Sequence, residues 1–346
     1  MQAAAVVEGL GAVLPTRTVP NTELEAELGV TDEWIRRRTG IARRHVVDPG
    51  TTTADLASTA ARNALKSAGV DSADAVVVAT TTPDRLSPAT APEVAWRAGV
   101  APAAAFDLAA VCSGFVYGLA TCAGLITAGI AQRVLLVGAE TNSYFLRRTP
   151  QDRGPAILFG DGAGAVVLRA GTADEPGAVG PFDLGSDGGH ADLIRIESGG
   201  SRQRARSAAG CAPGGDDPYD DLYWAVSGQE VYRRAVIHMT RSSQRVLEAA
   251  GVAVADVDRF VAHQANQRIL DRVAEEVGVG EERRLGNVAS VGNTGAASIP
   301  LALADAVRDG SLAAGHRLLM TSFGGGLTWG STLLTWPGME AVLTEQ

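Results

Sequence analysis

The chain has 346 residues, a formal net charge of −9, 46% hydrophobic and 20% charged residues, few aromatics (5%) and 41 glycines. That length buries a large core as one big domain or two ordinary ones, and the acidic balance argues against nonspecific affinity for nucleic acid or anionic membranes. Three cysteines, Cys112, Cys122 and Cys211, cannot all pair within the chain and show no zinc spacing, which points to a reducing, cytoplasmic setting and no metal.

The amino-terminal stretch MQAAAVVEGLGAVLP is apolar without a basic start, and reads as a strand and turn rather than an export signal. Residues 54–68 have helical spacing, and AVVVA at 75–79 reads as a strand buried on both faces. Asp107-Leu-Ala-Ala-Val-Cys112-Ser-Gly-Phe then leads into a run without charge from Leu108 to Ala131. A membrane span needs such a run, but its Gly, Ser, Thr and Cys residues and the lack of a second span favour a helix buried in a soluble protein. The free N–H groups at that helix start face Cys112, which predicts a stabilised thiolate with a pKa below the usual ~8.5. A lone cysteine is more often inert core, the reading given to Cys122.

VLLV at 134–137 is a further strand, and GDGAG at 160–164 lacks the residues of a phosphate loop and reads as close packing. Residues 197–221, rich in Gly, Ser, Arg and Asp, read as a surface loop whose Arg202, Arg204 and Arg206 leave a contact role open. A helix over 232–250 precedes Arg259-Phe-Val-Ala-His263, which places the histidine at a strand end, where α/β folds gather functional groups. His45, His190, His238 and His316 read as surface or structural. Asn293, within SVGNTG, would alone be a helix N-cap. A helix over 299–308, a strand over 317–321 and three consecutive glycines in SFGGGLTWG at 322–330 complete the chain, the glycines leaving backbone N–H groups able to approach an oxyanion.

Strands and helices alternate, so the class is α/β. A faint internal repeat runs strand, Cys112-Ser-Gly, apolar helix, strand in residues 1–172, and strand, Asn293-Thr-Gly, apolar helix, strand in residues 173–346. A duplicated fold follows, with Cys112 and Asn293 at equivalent helix starts that a pseudo-twofold axis would bring together.

With these residues in place, the chain resembles the beta-ketoacyl-ACP synthase III group of the thiolase superfamily over nearly its whole length. The stretches that carry the resemblance are DEWIRRRTGIARRH at 32–45, AAVCSGF at 109–115, DRGPAILFGDGAGAVVL at 152–168, HQANQRI at 263–269, GNTGAAS at 292–298 and SFGGGLTWGS at 322–331. The resemblance implies the duplicated five-layer αβαβα thiolase fold, a homodimer, and a catalytic set of Cys112, His263 and Asn293. It implies that acyl-CoA loads Cys112, with the N–H groups of Cys112 and Gly325 as oxyanion hole. Malonyl on an acyl carrier protein then decarboxylates against His263 and Asn293 and attacks the acyl-cysteine, with no cofactor beyond these substrates.

The same matching implies that Trp34 and Arg38 flank the CoA adenine, that Arg153, Gln229 and Asn266 line the pantetheine path, and that Phe323 shields the cysteine. Ser87 would bound the acyl pocket from across a dimer, and a serine there leaves room for starters larger than acetyl. Arg233, Arg268 and Arg272 would meet the acidic carrier protein, although Glu275 and Glu276 stand where the resembled family commonly has lysines. Two rivals stay open from sequence: an acyltransferase that hands the Cys112-bound group to a hydroxyl or amine, and a nonenzymatic acyl-CoA binder.

Overall fold

Two large sheets carry the molecule; the computed structural model describes residues 2–208 and 222–346. Every residue of Ala75–Ala79 is buried, the mark of a parallel strand covered on both faces. The first sheet runs, in spatial order, Ala341–Glu345, Ala3–Leu14, Asp161–Thr172, Arg133–Thr141, Ala75–Ala79 and Ala104–Leu108. The second runs Phe182–Ser186, Thr328–Thr335, Arg317–Gly324, Arg259–Ala262 and Arg284–Leu285.

The duplication is visible strand by strand. Setting Ala3–Leu14 against Phe182–Ser186, the next four strands of each sheet follow in the same order and the same sense: two antiparallel pairings, then two parallel ones. The strand Ala341–Glu345 departs from the repeat, because it pairs in parallel with Ala3–Leu14 and so lies in the first sheet.

The helices Gly114–Thr127 and Ser298–Arg308 pack between the sheets and touch both. Their apolar residues and the inner faces of the sheets share one core, which includes Phe115, Leu119, Leu136, Leu301 and Met320. Thr53–Ala68 covers the outer face of the first sheet, while Gly228–Ala250, with Gln267–Val277 against it, covers the second. The result is the five-layer αβαβα arrangement. The uncharged run after Asp107 is thus a central helix, and no helix among the described residues is long and apolar enough to cross a membrane. GDGAG serves close approach: a Cβ on Gly164 would sit 2.7 Å from the Pro300 Cβ of the central helix.

Residues 197–221 are not a loop throughout. Ser201–Ala208 is helical, because its Ala, Arg and Gln residues are good helix formers. Arg206 pairs with Glu197 at 2.7 Å, and Gln203 Oε1 accepts the Gly199 N–H at 2.9 Å, tying the helix to the chain before it. Residues 209–221, with Cys211, lie outside the described residues.

Candidate active site

Cys112 lies in a single 3-10 turn, Val111–Ser113, directly before the first central helix. Val111 adopts φ 48°, a left-handed conformation that costs a β-branched residue roughly 1–3 kcal/mol. The strained elbow is tied to the other half of the chain: Ser113 Oγ donates to Thr328 O at 3.1 Å, and Thr328 Oγ1 donates to Ala110 O at 3.0 Å. Gly324 must be glycine here, since a Cβ would lie 2.7 Å from Cys112 N. Gly325 follows in the adjacent turn.

The expected thiolate is not what the site favours at rest. Burial pushes the Cys112 thiol well above its ordinary range, and the nearby Glu140 carboxylate adds to that, while the residue's own N–H acts weakly the other way. Removal of the sulfur from water disfavours its charged form, the opposite of the effect expected from a helix start. Glu140 itself is fully buried, its pKa raised by burial to about 7, and it accepts from Thr81 N at 3.1 Å and Thr82 Oγ1 at 3.0 Å. Sequence reading did not single it out, since one Glu in a buried strand carries no motif.

His263 follows the strand Arg259–Ala262 and donates its N–H to Thr321 O at 2.8 Å. Its ring Nδ1 lies 2.7 Å from Ser298 Oγ. Burial lowers its pKa to about 3, so the imidazole is neutral at ordinary pH. Next to it, Gln264 braces the site: Oε1 accepts from Asn287 N and Val288 N, and Nε2 donates to Ala262 O.

Asn293 is not an N-cap. Its Oδ1 accepts from Gly295 N at 2.9 Å, which turns the Nδ2 amide, a pure donor, away from that turn. Its backbone is clamped by the first half of the chain: Asn293 N donates to Leu158 O at 2.8 Å and Asn293 O accepts from Gly160 N at 2.9 Å.

These three residues meet at one cavity of about 670 Å³ lined by Cys112, His263, Asn293 and Phe323 together with Trp34, Arg38, Arg153, Gln229 and Asn266. Two guanidiniums contact the Trp34 ring, Arg38 at 4.3 Å and Arg153 at 5.4 Å from its centroid. Asn266 caps the helix Gln267–Val277 and donates to Arg38 O at 3.1 Å, so it ties the two sides of the cavity together. Phe323 stands in a ring stack with His238, itself 3.9 Å from Trp329. Tyr232, Met239 and Ile194 also line the cavity and went unread in the sequence. Ser87 does not: it is exposed in the loop after Ala75–Ala79, outside the cavity of its own chain.

Of the expected carrier-facing arginines, two are engaged within their own helices. Arg233 donates to Glu230 at 2.6 Å, and Arg272 pairs with Glu275 at 3.3 Å and with Glu276. Arg268 lines the cavity with its guanidinium 5.7 Å from the Tyr232 ring and forms no ion pair among the described residues.

Comparison with known proteins identifies the family. The family model described as 3-oxoacyl-[acyl-carrier-protein (ACP)] synthase III matches residues 106–188, and the model of that family's C terminal matches residues 247–336. A beta-ketoacyl-[acyl-carrier-protein] synthase III of Streptomyces coelicolor is 54% identical over 344 residues, 99% of this chain and 100% of that protein. The chain belongs to the beta-ketoacyl-ACP synthase III family. The Pseudomonas aeruginosa synthase III is 49% identical across 97% of this chain and 98% of its own length. Among solved structures, the 3-oxoacyl-(acyl carrier protein) synthase III of P. aeruginosa superposes with TM-score 0.88 at 47% identity, covering 97% of this chain and 99% of that one. The priming beta-ketosynthase of the R1128 polyketide pathway superposes with TM-score 0.87 at 33% identity, covering 97% of each. As a synthase III, the chain is an acyltransferase of the ketosynthase type, and the nonenzymatic acyl-CoA binder is not favoured.

Proposed function

We propose that this synthase III takes an acyl group from acyl-CoA onto Cys112 and condenses it with malonyl on an acyl carrier protein, with the substrates alone driving the reaction. The observation that carries the proposal is the convergence of Cys112, His263 and Asn293 on one cavity, with the Asn293 Oδ1 already engaged by Gly295 N.

In the first half-reaction the Cys112 sulfur bonds to the acyl carbonyl carbon, the bond to the CoA sulfur breaks, and the thiol proton leaves with CoA. The N–H groups of Cys112 and Gly325 hold the tetrahedral oxyanion. In the second, the malonyl carboxylate departs as carbon dioxide, and the enolate oxygen left behind accepts from His263 and Asn293. The enolate carbon bonds to the acyl-cysteine carbonyl carbon, the carbon–sulfur bond to Cys112 breaks, and the released thiolate takes up a proton from solvent to restore the thiol. A neutral His263 suits this role, because it donates one hydrogen bond without carrying a charge into the site. Trp34 and Arg38 flank the CoA adenine, while Arg153, Gln229 and Asn266 hold the pantetheine arm.

A second copy completes the enzyme in this reading. The strand Ala104–Leu108 pairs with Ala75–Ala79 on one side and is the edge of its sheet among the described residues, with Phe106, Leu86 and Trp96 exposed to 37%, 76% and 72% near it in the chain. An open edge with exposed large apolar residues invites strand pairing, and a partner's loop would bring Ser87 to the acyl pocket. The expected compartment is the cytoplasm.

The test is intact-protein mass spectrometry. Acyl-CoA should add one acyl mass, and malonyl-carrier protein should remove it as beta-ketoacyl-carrier. Transfer of the label to a hydroxyl or amine acceptor without loss of carbon dioxide would establish the rival reaction.

A further inference from the structure

We propose that Ser298 is the positioning residue that keeps the His263 proton on Nε2, the nitrogen left to the substrate cavity. Ser298 is the first residue of the central helix Ser298–Arg308, and its side chain is buried to 1% exposure, that of His263 to 2%. Its Oγ accepts from the Gln264 backbone N–H at 3.2 Å and lies 2.7 Å from His263 Nδ1.

A hydroxyl has one proton and two lone pairs. If Nδ1 carried the imidazole proton, Ser298 Oγ would accept from both neighbours. Its own proton would then be buried without an acceptor among the described residues, an arrangement folded proteins avoid. With the hydroxyl donating to Nδ1, every group is satisfied: Gln264 N–H to Oγ, Oγ–H to Nδ1, and Nε2–H to the cavity. The frame is rigid, since Gln264 is held through its side chain by Ala262 O, Asn287 N and Val288 N, and His263 through its backbone by Thr321 O. Ser298 Oγ is the only hydrogen-bond partner of the His263 ring among the described residues, so it sets the tautomer, and a donor is what an enolate oxygen requires.

This inference rests on the proposed role of His263 as a donor, so the deciding measurement is made without substrate. In the full-length protein labelled with ¹⁵N-histidine, two-bond ¹⁵N–¹H correlations distinguish the two neutral tautomers, and His263→Gln identifies the resonance among the five histidines. The Nε2–H pattern is expected in the wild type, shifting to a mixture or to Nδ1–H in Ser298→Ala. Ser298→Ala should lower kcat for condensation on the order of tenfold to a hundredfold, while the Cys112 acylation rate and both KM values hold within about threefold. Ser298→Thr, which keeps the hydroxyl, should recover most of the loss. An Nδ1–H tautomer in the wild type overturns the proposal even if Ser298→Ala does not fold, and so does an equal loss of acylation and condensation. If the wild type shows Nε2–H but loads no acyl group, the proposed function fails while the tautomer assignment stands.

Discussion

Asn293 bridges Phe159 as an isolated pair of parallel strands, its backbone hydrogen-bonded to Leu158 on one side and Gly160 on the other. The residue supplied by the second half of the chain is therefore held in place by the first. The reverse holds for Cys112, whose turn is fastened to Thr328 of the second half through Ser113 and Ala110. Cys112 and Asn293 are thus each fastened by the opposite half, whereas His263 is held within its own half by Thr321 and Ser298.

The clamp leaves the Asn293 amide free for one task, and its effect should divide the reaction. Asn293→Ala is expected to lower condensation by about 10²–10³, the usual cost of losing one oxyanion donor, with Cys112 acylation reduced no more than about threefold. Single-turnover acylation and steady-state condensation, measured on the same variant, check this. Equal losses would show that Asn293 serves both steps.

Burial of Cys112 gives a distinct pH signature. Because the thiol is pushed up rather than down, its alkylation by iodoacetamide, followed by mass spectrometry of the Cys112 peptide, should keep rising through pH 9 without a plateau. A plateau below pH 8 would mean a resting thiolate. Cys112→Ala should abolish the acyl mass increase, and label on Cys122 or Cys211 instead would move the nucleophile.

Local patterns in the sequence were enough for the α/β class and the duplication, because a buried strand followed by a small-residue helix start repeats at Cys112 and Asn293, while the five-layer order and the grouping of His263 with them came from the family resemblance. The sign of the Cys112 pKa shift was not legible, since it depends on how completely distant segments such as Gly324 exclude water. Glu140 and Ser298 were missed for a related reason: each matters through a partner more than thirty residues away, Thr81 at 59 and His263 at 35. The helix Ser201–Ala208 was hidden by polar composition without apolar periodicity. Ser87 stayed undecided because a single chain leaves it outside the cavity.

Acid should weaken the fold through His263. Its pKa falls from 6.5 to about 3 on burial, so below pH 6.5 the unfolded chain takes up a proton that the folded chain refuses, and stability declines as pH drops toward 3. Glu140 acts oppositely: its pKa rises from 4.5 to about 7, so its burial costs stability as pH rises across that window. Urea midpoints of wild type and His263→Gln, measured from pH 7 to 4, isolate the first effect. The variant should lose less stability over that interval, and parallel curves would place the acid sensitivity elsewhere.

Starter size is expected to follow Ser87 if a second copy delivers it to the pocket. Starters longer than acetyl should be accepted, each buried methylene adding up to about 0.8 kcal/mol, and Ser87→Phe should restrict the enzyme toward acetyl-CoA. A panel of acyl-CoAs scored by kcat/KM checks this. An unchanged panel in Ser87→Phe would remove the residue from the acyl pocket.

The carrier-facing surface is where this chain's own ion pairs alter the expectation most. Arg233 is held by Glu230 and Arg272 by Glu275 and Glu276, so the field that those two arginines would present to an acidic partner is largely offset within their helices. Arg202 and Arg206 likewise face Asp192 and Glu197. Arg268, beside the cavity and without an ion pair among the described residues, is left as the strongest attractor of the three. Arg268→Glu should raise KM for malonyl-carrier protein about tenfold at low salt, while KM for acyl-CoA changes far less. Glu275→Lys with Glu276→Lys removes both counter-charges and releases Arg272, so it should lower KM for a generic, strongly acidic carrier. Because these side chains are about half exposed, the benefit should shrink as salt shortens the Debye length below ~8 Å. A double variant with the same KM as wild type at low salt would show that the glutamates have no part in partner choice. An unaffected Arg268→Glu would place the carrier on another face of the enzyme.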